Sequence, residues 1–205
     1  MKKYSVLLSD YDGTIMDTRN GIVEGLMQTI RKHGKTCSRE IIEAAVNTGA
    51  NIDDVIKIST SLPASVRVGI IDSYRKLYNS GFGLKYSYPY PHTIDFLKKM
   101  HSLGSILVVV SNKGQKALDE GIKKSGLHGI ISHTFGEGAT IHKKPSRLVF
   151  DEIKKVITIS GGSGIVIGDT VVDEKFARNI GYDFGFASYG YGDRGHFSKE
   201  PELIL

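Results

Sequence analysis

The sequence has little cysteine and no long hydrophobic run in its 205 residues. Its single cysteine, Cys37, has no second thiol to pair with, which excludes an internal disulfide and is consistent with a reducing compartment. The longest uninterrupted apolar segment, 106–110, is far shorter than the roughly 20 residues that cross a bilayer. The apolar residues 6–8 are followed at once by Ser9 and Asp10, so they do not form a signal-peptide core. We therefore expect a cytoplasmic protein with no membrane association.

Acidic residues are outnumbered by basic ones, 22 against 27, which gives a formal net charge of +5. A positive chain attracts anionic ligands, and nucleic acid is one candidate. The basic residues, however, are scattered in pairs such as 98–99, 123–124 and 154–155, which is typical of solvated helix faces. We therefore expect no nucleic-acid partner. The contents of 40% apolar and 24% charged residues are ordinary for a globular protein and exclude a disordered or fibrous class.

Hydrophobic periodicity divides the chain into an α/β part and a helical insertion. A short buried strand at 4–8 is followed, at about 16–86, by segments with helical spacing and no strand. From residue 87 onward, helices and short apolar strands alternate, which predicts a parallel sheet with helices packed on its faces. We expect a Rossmann-like α/β core domain formed by 1–15 and 87–205, with an all-helical cap domain at 16–86.

The same periodicity predicts individual elements. Three helices are predicted in the insertion, the first ended by Gly34, the second beginning after Ser38 and the third opened by Pro63. Further strands are predicted at 106–110, near Ile130 and Ile131, at 165–167, and as a last edge strand at 184–188.

Four polar residues of chemical interest stand where predicted strands end or a helix starts. Asp10 follows the first strand, Ser111 the second and Asp169 a later one, while Lys144 begins a helix at the same end of the sheet. An open parallel sheet binds its ligands outside the carboxyl ends of the strands. We therefore expect these four side chains to meet in one crevice.

The segment 10–14, Asp-Tyr-Asp-Gly-Thr, places two carboxylates two residues apart with a glycine that permits a sharp turn. As a nucleophile, Asp10 would attack phosphorus and form an acyl phosphate. Asp12 would then protonate the leaving alcohol and later deprotonate the water that hydrolyses the intermediate. Taken alone, the segment also fits a plain turn in which Asp10 caps backbone donors and Gly13 bends the chain.

A second acidic pair, Asp169 and Asp173, follows a later strand. Several carboxylates packed together repel one another and are costly to bury ionised without a cation. Mg²⁺ suits such a set, because it prefers oxygen ligands, keeps part of its water and bridges to phosphate oxygens. Asp173 is predicted to lie one helical turn beyond Asp169, where it can cap the following helix or orient Asp169 or a metal-bound water.

The remaining predicted groups bind the phosphoryl oxygens or neutralise their charge. The Ser111 hydroxyl and nearby backbone donors, including that of Asn112, can bind these oxygens. The ammonium of Lys144 offsets the charge of both the nucleophile and the phosphate. Tyr11, between the two acids of the first segment, is placed in the same phosphate-binding set.

Together these motifs make the sequence similar to the haloacid dehalogenase-like superfamily, and within it to the phosphoglycolate phosphatase-like phosphatases. The motifs that carry the resemblance are 10–14, 111–113, 144–145 and 168–181. The resemblance implies a hydrolase that releases phosphate from a small phosphorylated metabolite through an aspartyl-phosphate intermediate. It also implies a Mg²⁺ ion bound by the Asp10 carboxylate, the Asp12 backbone carbonyl and Asp169. An aspartate at position 12 implies phosphatase rather than dehalogenase chemistry.

The insertion looks like the helical cap of this family, which would cover the site and choose the substrate. Arg19, Thr48 and Gly49 are the candidates there for substrate contact. Because Lys143 precedes Lys144, the assignment of the active lysine rests on the adjacent proline. A cap of this type needs no partner chain to cover the site, so we expect a monomer.

Other functions fit parts of this pattern. A phosphomutase of the same superfamily would use the same core, but the insertion shows no convincing sugar-binding set. A phospho-acceptor signalling domain also combines acids, a hydroxyl and a lysine on a parallel sheet, yet Asp12 favours turnover of the acyl phosphate and a receiver needs no cap. A binding protein without activity is disfavoured by the complete motif set. Phosphoglycolate, a nucleoside monophosphate, a sugar phosphate and pyrophosphate all stay open as substrates.

Overall fold

The computed structural model describes residues 4–159 and 163–205. Within these ranges the strands are β1 (Val6–Ser9), β2 (Met16–Asp17), β3 (Tyr88–Pro89), β4 (Ile106–Gly114), β5 (His133–Glu137), β6 (Gly164–Gly168), β7 (Asp183–Phe186) and β8 (Leu203–Ile204). The helices are α1 (Arg19–Lys32), α2 (Arg39–Val46), α3 (Ile52–Thr60), α4 (Ala64–Leu77), α5 (Gly83–Lys85), α6 (Thr93–Ser102), α7 (Gln115–Lys124), α8 (Arg147–Val156) and α9 (Val171–Ile180). A π-helical turn, Tyr78–Phe82, joins α4 to α5, and a 3₁₀ turn lies at Arg194–His196. None of the helices in the described ranges is long and apolar enough to cross a bilayer.

Six strands form one parallel sheet in the order β5-β4-β1-β6-β7-β8. Strand β1 lies between β4 and β6, with Ser9 in register with Val109 on one side and Ile167 on the other. These central strands are largely buried apolar runs, because helices cover both faces of the sheet. The predicted Rossmann-like α/β core is confirmed.

Alternate residues of the strands face two separate helical layers. On one face, Leu8 packs in a cluster with Ile153 of α8 and Phe176 of α9. On the other face, Leu7 packs in a cluster with Leu118 of α7. This double cover holds the strand ends in fixed positions, which is what a site built on them requires.

A third hydrophobic cluster joins the helices between β2 and β3. Leu26 of α1, Ile42 of α2, Ile56 of α3 and Ile70 of α4 are completely buried in it. The short strands β2 and β3, at the two ends of this helical segment, pair with each other in antiparallel fashion. The chain therefore leaves and re-enters the α/β part at adjacent points. The predicted division into a core domain and a cap domain stays a proposal.

Helix α3 is absent from the sequence prediction, which places only three helices in the insertion. In the structure Asn51 begins this helix, because its side-chain oxygen accepts hydrogen bonds from the backbone N–H groups of Asp53 at 3.1 Å and Asp54 at 3.2 Å. The helix is only nine residues long, so it repeats its apolar spacing for little more than two turns.

Two strand predictions are wrong. No strand element forms at Ile130 and Ile131, whose N–H groups both donate to the Leu127 carbonyl in the turn after α7. The strand of this region is β5, a few residues further on. Likewise β7 is not an edge strand, since β8 pairs with its outer side. Strand β8 has two residues, too few for any periodic signal.

The difference in burial predicts that truncating one leucine in α7 and one in α8 will reduce stability by unequal amounts. Leu118 of α7 is completely buried, whereas Leu148 of α8 is 48% exposed. Leu118→Ala is expected to lower the free energy of unfolding by about 2–5 kcal/mol, because it removes buried methyl groups and leaves a cavity. Leu148→Ala is expected to change it by about 0.5 kcal/mol or less. Urea unfolding followed by circular dichroism measures both, and equal losses would contradict the packing described above.

Candidate active site

Three carboxylates converge at the carboxyl ends of β1 and β6. Asp10 directly follows β1, Asp169 directly follows β6, and Asp173 lies in the first turn of α9. One oxygen of each lies within 4.8 Å of the others. Asp169 and Asp173 are almost completely buried, with exposures of 0% and 1%. Negative charge is thus concentrated at one point of the sheet edge, away from bulk water.

Asp169 is fixed by hydrogen bonds from two other segments. Its Oδ1 accepts a hydrogen bond from the Thr14 hydroxyl at 2.9 Å, and its Oδ2 accepts one from the Tyr191 backbone N–H at 2.7 Å. Burial raises the pKa of Asp169 well above its usual value, and the nearby Asp173 and Asp10 carboxylates raise it further. The two hydrogen bonds oppose this rise without cancelling it. Burial and the neighbouring carboxylates therefore disfavour the ionised form of Asp169.

Two glycines allow the backbone to approach Asp169 closely. Gly13 has φ of +78°, and a Cβ there would lie 2.2 Å from Asp169 Oδ2. A Cβ at Gly190 would lie 2.4 Å from the Gly13 carbonyl oxygen and 2.3 Å from Asp169 Cβ. A side chain at either position would displace the carboxylate.

Lys144 places an ammonium group among these acids. Its Nζ lies 2.6 Å from Asp173 Oδ1 and 3.0 Å from Asp10 Oδ1. Burial disfavours the charge of Lys144, but the two carboxylates outweigh burial and raise its pKa above the usual value. Burial raises the pKa of Asp10 to about 6, with Lys144 acting in the opposite direction. The ammonium thus compensates part of the charge at the strand ends.

The side chain of Asn112 positions the backbone of Lys144. Asn112 Oδ1 accepts a hydrogen bond from the Lys144 N–H at 3.0 Å, and its Nδ2 donates to the Lys144 carbonyl at 3.2 Å. The predicted phosphate contact of Asn112 therefore falls to its backbone N–H. Lys143 turns away, with its Nζ 2.7 Å from Glu137 Oε1. Of the two adjacent lysines, the one in the acid cluster is Lys144.

Asp12 pairs with a lysine that the sequence analysis did not single out. Lys113 Nζ lies 2.9 Å from Asp12 Oδ1, and the Thr18 hydroxyl donates to the same oxygen at 2.6 Å. Lys113 also donates to Tyr78 Oη at 3.0 Å and lies 4.4 Å from the centroid of that ring. Burial opposes the charge of Lys113, yet Asp12 and Tyr78 raise its pKa well above the usual value. The Asp12 side chain is therefore held by one ammonium group and one hydroxyl rather than within the acid cluster.

The other two predicted phosphate-binding residues occupy different environments. Ser111, in β4, is nearly buried and lines the cavity beside the acids. The Tyr11 side chain is buried in the hydrophobic core, where its hydroxyl faces Gly121 of α7. Any contact of Tyr11 with a phosphate would have to come from its backbone.

Of the three candidates in the insertion, one lines the cavity. This is Gly49, where a Cβ would lie 2.6 Å from Thr170 Oγ1 at the start of α9. The Thr48 hydroxyl donates to a carbonyl at the end of α2, and the Arg19 guanidinium stacks on the Tyr191 ring at 4.5 Å. Thr48 and Arg19 therefore lie away from the cavity wall.

A cavity of about 410 Å³ opens beside the acids and extends beneath the inserted helices. Its floor contains Asp10, Asp12, Ser111 and Lys144. Its roof comes from the helical segment and is largely apolar. An anion such as a phosphate can be held on this floor by hydroxyl, backbone N–H and ammonium groups while a carboxylate faces it.

Sequence reasoning missed three residues that shape the site. Thr14 lies in the motif at 10–14 and Lys113 in the motif at 111–113. Their place within these motifs is the sequence feature that could have identified them as site residues. Tyr191 lies outside all of these motifs. No local pattern connects Tyr191 to Asp169, which lies 22 residues earlier and receives its N–H.

The fold and the site together define an α/β protein of the Rossmann-like class that carries a buried acid cluster under an inserted group of helices. More narrowly, the chain belongs to the haloacid dehalogenase-like hydrolase family, whose family model matches residues 7–187. The family resemblance inferred from the motifs is confirmed.

Similar proteins extend over nearly the whole chain. A phosphoglycolate phosphatase of Vibrio cholerae is 26% identical, covering 100% of this chain and 93% of the relative. A phosphoglycolate phosphatase of Aquifex aeolicus is 28% identical, and the match covers 91% of this chain and 85% of the relative. Among solved structures, a haloacid dehalogenase-like family protein of Streptococcus pneumoniae superposes with a TM-score of 0.85 at 20% identity, covering 100% and 94%. A Bacteroides fragilis protein assigned to the haloacid dehalogenase-like hydrolases gives 0.89 at 21% identity, covering 98% and 96%. These structural likenesses show the fold.

The close approach at Gly13 predicts a larger cost for alanine there than at a glycine with open space. Gly126 has a similar φ, +74°, and a Cβ there would meet nothing within 4 Å. Gly126→Ala is expected to lower the free energy of unfolding by about 1 kcal/mol through backbone strain alone. Gly13→Ala is expected to cost about 2 kcal/mol more, because its methyl group would overlap Asp169. Denaturant unfolding of both variants measures the difference. Equal losses of unfolding free energy would show that the Asp169 side chain can move aside without a loss of stability.

Proposed function

We propose that this protein is a Mg²⁺-dependent phosphatase that hydrolyses a small phosphomonoester through an aspartyl-phosphate intermediate on Asp10. The observation that carries the proposal is that Asp10, Asp12 and Lys144 line one cavity while Asp169 lies within 4.8 Å of Asp10 behind it. Membership of the hydrolase family and similarity to phosphoglycolate phosphatases support a phosphoric monoester hydrolase.

In the proposed reaction, an Asp10 carboxylate oxygen forms a bond to phosphorus as the bond from phosphorus to the leaving alcohol breaks. Asp12 gives its proton to the departing oxygen. A water molecule then attacks the phosphorus, Asp12 removes its proton, and the Asp10 carboxylate is released with inorganic phosphate. Thr18 and Lys113 fix the Asp12 carboxyl for both transfers.

Contacts to the phosphoryl oxygens would come from three groups. The Ser111 hydroxyl, the Asn112 backbone N–H and the Lys144 ammonium belong to one side of the floor. The two hydrogen bonds between the Asn112 side chain and the Lys144 backbone hold the Asn112 N–H and the Lys144 ammonium in a fixed relative position. Asp173 binds the ammonium from behind, so it acts as a positioning residue for Lys144 as well as a cap for α9 through Thr170.

The residues of the site fit a Mg²⁺ ion. Whenever Asp12 and the three clustered aspartates of the described site are all ionised, the ammonium groups of Lys113 and Lys144 balance two of the four negative charges. A divalent cation would balance the other two. The Asp10 and Asp169 carboxylates and the Asp12 backbone carbonyl would hold the ion. When bound, Mg²⁺ supplies charge neutralisation for the carboxylates and the phosphate oxygens.

Three broader expectations belong to the same proposal. The protein acts as a monomer in the cytoplasm, and its partner is a small phosphorylated metabolite rather than nucleic acid. The monomer is supported by the cavity itself, since the same chain forms its floor and its roof. Phosphoglycolate is named in the relatives' descriptions, and the substrate proposed for this protein is a small phosphomonoester.

Removing the proposed nucleophile is expected to remove the activity. Purified protein with Mg²⁺ should release inorganic phosphate from at least one ester in a panel of phosphorylated metabolites, and Asp10→Asn should release no more than a protein-free sample. Asp72→Asn, which makes the same change at an exposed position of α4, should retain full activity. Undiminished turnover by Asp10→Asn would eliminate the nucleophile assignment, and a product isomer without phosphate release would favour a phosphomutase.

Phosphatase activity is expected to require Mg²⁺, and Mg²⁺ binding is expected to require the carboxylates of the acid cluster. Chelation with EDTA should abolish phosphate release, and added Mg²⁺ should restore it. Asp169→Asn is expected to raise the Mg²⁺ concentration for half-maximal activity by about tenfold or more, because it removes a proposed ligand. Calorimetric titration with Mg²⁺ provides a second readout that does not depend on turnover. Unchanged Mg²⁺ binding by this variant would place the ion elsewhere.

A further inference from the structure

We infer that the substrate of this site is a phosphomonoester whose alcohol is uncharged and apolar or aromatic, rather than one that carries a carboxylate as glycolate does. The inference rests on the proposed function, because it concerns the alcohol that leaves the phosphate. The apolar side chains of the cavity roof are the basis for restricting the substrate to this class of ester.

The roof above the phosphate-binding floor combines five aliphatic side chains with two tyrosine rings, and its polar members are Asn51, Arg75 and Asn79. It includes Ile22, Val46, Ala50, Ile52 and Val55. Ala50 and Ile52 are only partly buried against the helical hydrophobic cluster, so part of their surface faces the cavity. A leaving alcohol held on the floor would contact this surface, which favours apolar groups.

Two tyrosine rings extend the apolar wall next to the floor. Tyr74 and Tyr78 both line the cavity, with their ring centroids 5.4 Å apart and the planes tilted by 41°. Tyr78 is held in place by the Lys113 ammonium beside Asp12, the proposed acid. Tilted aromatic side chains of this kind pack well against a further ring.

The cations that line the cavity offer no buried partner for a second substrate anion within the described part of the chain. Lys144 and Lys113 are engaged with the aspartates, and Arg75 of α4 pairs with Glu137 at 2.6 Å. Lys116 is exposed to solvent, where an ion pair contributes little. A substrate carboxylate would therefore lose its hydration beside aliphatic side chains and gain no buried cation as a partner.

The size of the cavity agrees with this reading of its wall. Its volume of about 410 Å³ lies within the range of about 300–1,000 Å³ that encloses drug-sized ligands. The small acid glycolate would leave much of this space unfilled. An aromatic or branched alcohol would occupy it and replace water at the apolar roof.

Benzyl phosphate and phosphoglycolate test the inference directly, since both are esters of primary alcohols. With Mg²⁺ present, kcat/KM is expected to be about tenfold or more higher for benzyl phosphate. Ile52→Ser should lower kcat/KM for benzyl phosphate by about tenfold and leave that for phosphoglycolate within about twofold. Ile58→Ser, the same change on the same helix at a side chain that is 55% exposed and outside the cavity wall, is the matched control and should alter neither.

The outcomes separate the inference from the function on which it rests. Equal or faster turnover of phosphoglycolate by the wild-type protein would overturn the inference and leave the phosphatase intact. Absence of Asp10-dependent phosphate release from every ester would overturn the proposed function. In that case the isosteric phosphonates 2-phenylethylphosphonate and 3-phosphonopropionate are titrated against the protein with Mg²⁺ by calorimetry. Binding of the phenyl compound about tenfold tighter would support the apolar roof, and equal or weaker binding would overturn it.

Discussion

The ion pairs of Lys144 with Asp10 and Asp173 are the interactions on which the site depends. Buried carboxylates at the ends of β1 and β6 repel one another, and only a cation between them makes their close approach tolerable. The surrounding structure serves this arrangement. The sheet sets the two strand ends side by side, and Asn112 holds the lysine backbone in place. One lysine thus links the chemistry of the site to the stability of the fold.

The sheet and the positions of the acids could be predicted because both depend on local pattern. Apolar runs of strand length alternate with amphipathic helices, and the residue after a strand end is necessarily near the sheet edge. Asp10 and Asp169 are found by that argument. Short elements defeat it, as β8 and α3 show, since neither repeats its spacing long enough to stand out.

The contacts between distant segments could not be predicted. Nothing near Asp12 indicates that Lys113 is its partner, or that Lys113 also binds Tyr78, because a strand end of the α/β part supplies the lysine and a turn after α4 supplies the tyrosine. Asn112 illustrates a subtler limit. Its motif indicates phosphate binding, yet only the folded chain shows that the side chain is occupied by the Lys144 backbone. The same holds for Ile52, whose spacing alone does not distinguish a cavity wall from a packed core.

The central place of β1 in the sheet also governs how the site is assembled during synthesis. Strand β1 precedes β6, its neighbour on one side, along the chain, so the acid cluster cannot enclose Asp10 before β6 has been made. Lys144 precedes Asp169 and Asp173 along the chain. Lys144 is therefore synthesised before these two acids. The full set of carboxylates cannot be buried at a stage when the compensating ammonium group has not yet been made.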